Sequence, residues 1–311
     1  MKVPVRPLAA VSVDLDEIPC YAAIHGLKVP EHARHAIYRK AVPRFRALFA
    51  ELGIPATFFV IGRDVAAPGN DAVLRGLLEG GHELGNHSHG HLYDLTRRDR
   101  ETIRGEIATA GEALERVTGV SPRGFRAPGY TVTDTVLDVL HELGYAYDSS
   151  VFPCGPYYGA KAAALAAIAL RGRRSHSILD DPRVLAAPAD PYRVGRPYWR
   201  RGRGLLELPV GVTRTATGRL PYIGTSVALA GTSGARLLTR MIRGRPLVNL
   251  ELHGIDLADA AEDGLGFLRP HQPDLRKPRR AKEAALRAAL EELRRTGHRF
   301  VTLSEAAEQF A

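Results

Sequence analysis

The sequence predicts an α/β fold built on a parallel sheet. Three observations lead there. Short apolar, β-branched or aromatic runs alternate with stretches of helical periodicity through the first 150 residues. Several helical stretches stop on glycine, at Gly53, Gly81 and Gly144. At 311 residues, with 45% hydrophobic and 25% charged side chains, the chain is long enough for one large domain with a substantial core. Strands that alternate with helices imply parallel pairing, in a sheet either closed or open.

The elements follow in order. Residues 8–16, "LAAVSVDLD", read as a buried strand ending in acids. Residues 17–35 are polar and irregular and read as a loop carrying a local lid. Helices are expected over 41–53, 71–81, 97–119 and 133–144, the last opened by a Thr or Asp cap. Between them, 55–62, 82–88, 122–130 and 145–152 read as strands. The alternation breaks over 153–205, which is rich in Pro, Gly and Arg. That stretch reads as an irregular insertion with one apolar helix near 159–172, either packed on the core or lying on an interface. Beyond it, 204–214 and 246–256 read as strands and 233–244 and 279–297 as helices, with a last strand and short helix at the end.

Bulk properties exclude some classes. No run of about 18 apolar residues occurs, so no transmembrane helix is expected. The first residues, "MKVPVRPLAAVSVDLD", lack the long apolar stretch and small-residue cleavage site of a secretory leader, which predicts a cytoplasmic protein. Two distant cysteines, Cys20 and Cys154, form no CxxC pair and are expected to be reduced. The net charge of +9 gathers in 171–176, 200–203, 240–245 and 276–280. No zinc-finger, basic-zipper or RNA-binding aromatic signature accompanies it, so phosphate or a membrane surface is expected and nucleic acid is not.

Chemistry concentrates at the predicted strand ends, where the βα loops of an α/β barrel gather. The first strand ends in Asp14 and Asp16, which share one face. Two carboxylates there repel unless a cation sits beside them. The third runs into "GNHSHGHLYDL", where His87 and His91 lie four apart. On a helical turn both imidazoles would face one side and chelate a divalent ion, with His89 pointing elsewhere. Alone, each stretch also fits a solvated turn or a pair of capping acids. Together, one carboxylate and two histidines make a metal triad with open positions, and the second carboxylate is free to act as a base.

Five segments in order resemble the NodB-homology polysaccharide deacetylases: "SVDLD", "HSHGH", "FRAPGY", "YDSS" and "LELH", spanning 12–253. The resemblance implies a distorted (β/α)7-type barrel in a single domain over 1–311, with 153–205 as its insertion. It implies Asp14 as general base, and Asp16, His87 and His91 as ligands of a divalent metal, zinc first, with cobalt, manganese or nickel as alternatives. Arg126 would orient Asp14, His253 would be the general acid, and Asp148 would support it. A backbone amide at Gly129 or Tyr130 would hold the oxyanion. Leu15 separates the two acids, whereas the commonest form of the motif has them adjacent. This D-x-D form resembles the branch with intracellular and lipid-linked-sugar enzymes.

The expected activity is therefore metal-dependent removal of an acetyl or formyl group from an amino sugar, either in a glycan or linked to lipid or phosphate. The lipid-linked form would place the protein peripherally on the inner membrane, through the basic insertion and its apolar helix. Two other classes remain open: a non-catalytic barrel that binds glycan or metal, and an amidohydrolase acting on a small non-sugar amide.

Overall fold

The computed structural model describes residues 6–172 and 174–311. Residues 1–5, part of the stretch read for a leader, and Arg173, one of the basic residues after the apolar helix, lie outside the described residues.

The sheet is organised around β1 (Leu8–Asp14), every residue of which is buried. Along its whole length β1 pairs in parallel with β8 (Leu247–His253). Its other edge pairs β9 (Arg299–Val301) along Leu8–Ala10 and β2 (Thr57–Val60) along Ser12–Asp14. From β2 the parallel order continues through β3 (Glu83–Asn86), β4 (Gly124–Phe125) and β5 (Tyr147–Asp148) to β7 (Arg201–Glu207). A short antiparallel strand, β6 (Tyr192–Val194), lies beyond β7.

The sheet curls until its two ends meet. Gly211 donates from its amide to Asn249 O at 2.8 Å. The Asn249 side chain donates to Ser149 Oγ at 2.9 Å and to Leu208 O at 3.2 Å. A buried amide thus bridges β8 to the segments after β5 and β7, satisfying groups that strand pairing leaves open there.

Helices α2 (Val42–Leu52), α3 (Asn70–Glu79), α4 (Arg100–Thr118), α5 (Asp134–Glu142), α7 (Gly224–Met241), α8 (Arg279–Arg295) and α9 (Leu303–Phe310) fill the crossovers and the C-terminal edge. Their starts follow capping chemistry. Asp99 accepts from Thr102 N at 2.8 Å, and Thr302 and Glu305 form a reciprocal capping box. The main core joins Val11, Val13, Phe45, Phe49, Phe58, Leu250 and Leu286 between β1, β2, β8, α2 and α8.

Two stretches differ from the sequence expectation. Residues 17–35 contain a true helix, α1 (Ile18–His25), ended by Gly26 at φ 63°. The Glu17 carboxylate accepts the amides of Ile18, Ile37 and Tyr38, anchoring the segment. Residues 153–205 hold more than one helix: α6 (Gly155–Leu170) is followed by β6 and most of β7, and β7 belongs to the main sheet. The outer half of β7, Arg201–Gly204, is exposed and built of Arg and Gly, so it carries little strand signal. One basic cluster is in part structural. Arg245 is buried and donates to Val212 O and Thr213 O, while its Nη1 pairs with Asp190 at 2.8 Å.

Candidate active site

The site lies at the C-terminal end of β1, where the neighbouring strands also end. Leu15 continues the ladder one residue past β1, donating to Phe59 O at 2.9 Å. That extension keeps the alternation in phase: Leu15 enters the core, and Asp14 and Asp16 turn to the opposite side.

The two histidines follow β3, but not on a helical turn. Ser88 and His91 both adopt left-handed backbone, at φ 60° and 53°. Side chains hold this unfavourable shape. Asn86 Oδ1 accepts the Ser88 amide at 2.8 Å, and Ser88 Oγ accepts the His91 amide at 3.1 Å. The turn brings the rings of His87 and His91 to 4.9 Å between centroids. His89 leaves in another direction, and its Nδ1 packs against Gly62, where a β-carbon would lie 2.8 Å from it.

Asp16 sits between the two rings. Its Oδ1 is 3.2 Å from His87 Nε2 and its Oδ2 is 3.2 Å from His91 Nε2. His87 Nδ1 lies 2.7 Å from Arg126 O, a group that only accepts, so Nδ1 carries a hydrogen, and in the neutral ring Nε2 presents its lone pair toward Asp16. With both rings neutral, as metal binding requires, lone pairs face one another in a buried space. Asp16 Oδ1 and His91 Nε2 make no hydrogen bond. All three ligand atoms lie within 4.8 Å of one another. One carboxylate and two imidazoles aimed at a common point fit a divalent cation, with further coordination positions left for water or substrate.

Burial opposes the charge on Asp16, but the two flanking imidazoles outweigh it and hold the carboxyl well below its ordinary range. Burial also works against an imidazolium. It wins at His91, which is lowered, and loses at His87, where Asp14 and Asp16 raise it.

Asp14 is held from the other side. Arg126, wholly buried, donates from Nη1 to Asp14 Oδ1 at 2.8 Å. The rest of the guanidinium is fixed by Ser149: Nε donates to its carbonyl and Nη2 to its hydroxyl, both at 2.8 Å. Phe59 covers its face at 4.3 Å. Asp14 Oδ2 remains 3.9 Å from His87 Nε2, toward the triad.

Across the site, His253 Nδ1 pairs with Glu251 Oε1 at 2.9 Å. Burial depresses an imidazolium, but the Glu251 carboxylate more than offsets this and raises His253 well above its ordinary value. The amide of His253 donates to Asp256 Oδ2 at 2.8 Å, and Tyr130 Oη lies 3.5 Å from His253 Nε2. Asp14, Glu251 and His253 form a second close group. Its charges are already balanced by the Arg126 guanidinium and the His253 proton.

Two expectations need correction. Asp148 does not support His253. It accepts from Ser150 N and Oγ, at 3.2 and 2.7 Å, and stands opposite Glu207 across the β5–β7 pairing. Burial raises both acids; the Asp148 carboxylate raises Glu207 further, whereas the bond from Glu207 works against the rise at Asp148. The reason is topological: β5 pairs with β4 and β7, whereas Glu251 precedes His253 by two on β8 and shares its face. The Tyr130 amide is not open to an oxyanion either, because it donates to Ala127 O at 3.1 Å within a tight turn. Gly129, at φ 65°, remains at the pocket wall.

Asp16, His87, Gly129, Tyr130 and His253 line one cavity of about 180 Å³. Its outer wall comes from segments that sequence reasoning did not place there: Tyr21 and Ile24 of α1, and Tyr157 and Lys161 of α6. Lys161 Nζ donates to Gly129 O at 2.9 Å, and burial brings it down to about 8. Spacing along α6 puts Tyr157 and Lys161 on one helix face, but nothing in the sequence says what that face covers.

The chain is similar to known proteins in sequence and in fold. Residues 35–147 match the family model for polysaccharide deacetylase. That span carries His87, His91 and Arg126, while Asp14 and Asp16 precede it and His253 follows it. The chain is 25% identical over 158 residues to a peptidoglycan deacetylase of Helicobacter pylori, covering 49% of this chain and 52% of that protein. It is 33% identical over 103 residues to a peptidoglycan-N-acetylglucosamine deacetylase of Bacillus cereus, covering 33% of this chain and 46% of that protein. The chain thus spans about half the length of the curated relatives it matches. A solved structure from Mycobacterium smegmatis, described as a polysaccharide deacetylase, superposes with a TM-score of 0.60 at 22% identity over 99% of this chain and 94% of that one. That likeness shows the fold, a curled, barrel-like α/β sheet.

Proposed function

We propose that this chain, a member of the polysaccharide deacetylase family, is a metal-dependent hydrolase that removes an N-acyl group, acetyl or formyl, from an amino sugar. One observation carries the reading. Asp16 Oδ1 and His91 Nε2 make no hydrogen bond and lie with a His87 ring nitrogen within 4.8 Å of one another, and His253 lines the same pocket.

Asp16, His87 and His91 would hold the metal, zinc or a similar divalent ion. Bound there, the ion supplies Lewis acidity toward an amide oxygen and acidifies a water. The remaining chemistry belongs to the chain. Asp14, with Oδ1 fixed by Arg126, keeps Oδ2 toward the site and takes the proton of the attacking water. Arg126 keeps Asp14 aimed. Glu251 keeps His253 protonated near neutral pH, so His253 delivers the proton that the departing nitrogen needs when the C–N bond breaks. The Gly129 amide is the remaining backbone candidate for the oxyanion. The products are a free carboxylic acid and an amino sugar.

The finer reading is a sugar linked to lipid or phosphate at the cytoplasmic membrane face. What supports it is α6, which has no buried residue, leaves Leu170 89% exposed and is followed by Arg171 and Arg174. No helix among the described residues is long and apolar enough to cross a membrane, so the contact would be peripheral. Pelleting with anionic vesicles should fall when Arg171 and Arg174 are replaced by serine, and absence of pelleting removes this contact.

The activity is tested by amine release from N-acetylated chitooligosaccharides and N-formyl amino sugars. Chelation should abolish release and added zinc restore it. A zinc-loaded protein that releases no amine from any of them contradicts the proposal.

A further inference from the structure

A second cavity, of about 490 Å³, is walled by three segments that also wall the catalytic pocket. Helix α1 gives Tyr21 and Ile24 to the first cavity and His25 to the second. The segment before α8 gives Gln272 and Asp274 to the first, and Pro270 and His271 to the second. Helix α6 gives Lys161 to the first, then Ala164, Ala167, Ile168 and Arg171 to the second. On α6 the steps from 161 to 164, 168 and 171 are three, four and three residues, so these side chains form one stripe. Ten residues of helix span about 15 Å. The rings of His25 and His271, 5.1 Å apart, close the opposite side. The two cavities therefore follow one another along the same three segments, and together they are taken as one cleft.

Its chemistry is graded. The middle is Ala164, Ala167 and Ile168, small and apolar. A cation stands at each end. Lys161 Nζ donates to Gly129 O, and Arg171 donates to Ala167 O at 3.2 Å within its own helix. Asp180 is the acid that acts on Lys161. A half-buried ammonium that donates to one carbonyl keeps donor capacity for an anion. It stands where a substituent of the bound sugar would leave the catalytic pocket.

We infer that this cleft is a second substrate subsite, which takes an apolar substituent joined to the amino sugar through a phosphate or carboxylate, with the anionic group at Lys161 and the apolar part against Ala164, Ala167 and Ile168. The inference rests on the deacylase reading for the sugar's position. Anionic selectivity then comes from α6, and the metal-facing wall needs none.

The test compares three substrates: the methyl glycoside of N-acetylglucosamine, the decyl phosphodiester at C1 of N-acetylglucosamine, and the decyl glycoside of N-acetylmuramic acid, whose lactyl carboxylate stays free. The zinc-loaded wild type should prefer one of the anionic, apolar-substituted sugars over the methyl glycoside by about ten-fold or more in kcat/KM, the size of one charge-assisted hydrogen bond. Preference for the phosphodiester assigns a lipid-phosphate source, and preference for the muramic derivative assigns an acidic glycan. Lys161→Met and Ile168→Glu should each collapse the ratio toward unity. Because the ratio is taken within one protein sample, loss of folded enzyme cancels from it. No preference in the wild type, or a ratio within about two-fold of wild type in both variants, overturns the subsite. If no substrate releases amine, the deacylase reading fails separately. Direct binding of the decyl phosphodiester then decides the subsite: saturable binding weakened about five-fold or more by Lys161→Met supports it, and no binding overturns it.

Discussion

The inner and outer walls of the pocket are built in opposite ways. On the inner wall each side chain is held by others that are themselves held. Asp14 is fixed by Arg126, Arg126 by both polar groups of Ser149, and His87 by the Arg126 carbonyl. All are buried. On the outer wall α6 buries no residue and is rich in alanine. Its ties to the body include Lys161 to Gly129 O and Tyr158 Oη to Asp180 O, at 2.9 and 3.1 Å. A site that must place a metal and a proton donor to within a fraction of an ångström needs mutual constraint. A wall that only selects what enters tolerates loose packing.

That contrast can be broken most severely on the inner wall. Asp16→Ala or His87→Ala should cut kcat/KM at least about a thousand-fold, because both the metal and the charge stabilisation it provides are lost. Steady-state amine release measures this, and retention of a tenth of the activity would place the chemistry elsewhere. Next in size is Arg126→Met. It leaves Asp14 buried without its partner and should cost about 3–5 kcal/mol in urea unfolding. A loss under about 1 kcal/mol would mean that the network relaxes freely.

Glu251→Gln sharpens the proton assignment. The Glu251 carboxylate raises His253, so the acid form persists to high pH and its stabilisation is lost only as pH rises through that raised value. Without the carboxylate, His253 deprotonates earlier. The alkaline limb of the pH–kcat/KM profile should then move to lower pH. Asp148→Asn should leave that limb in place, since Asp148 bonds Ser150 and faces Glu207. The reverse pattern would restore Asp148 to the role expected from sequence. The smallest effect belongs to the outer wall: Leu170→Ser, at an exposed helix end, should change stability by about 0.5 kcal/mol or less.

How much was legible in the sequence follows the same division. The run at 8–14 is apolar and β-rich, and the structure buries all of it. The identities of Asp16, His87 and His91 pointed to metal chemistry, but their conformation was hidden. It depends on Asn86 and Ser88 side chains bonding backbone amides, which no apolar periodicity signals. Helix α1 was missed because "IPCYAAIH" carries no polar stripe. Glu251 was within reach, because in "LELH" it shares a strand face with His253. That α6 roofs the pocket was not legible, because an alanine-rich helix packs almost anywhere.

The central claim is that His87 and His91, but not His89, join Asp16 in one metal site. The most direct measurement is the metal content of purified wild type, His89→Ala and His91→Ala after identical loading with zinc and desalting. Wild type and His89→Ala should retain about one ion per chain, and His91→Ala should retain almost none. Equal losses in the two variants, or full retention in both, would contradict it.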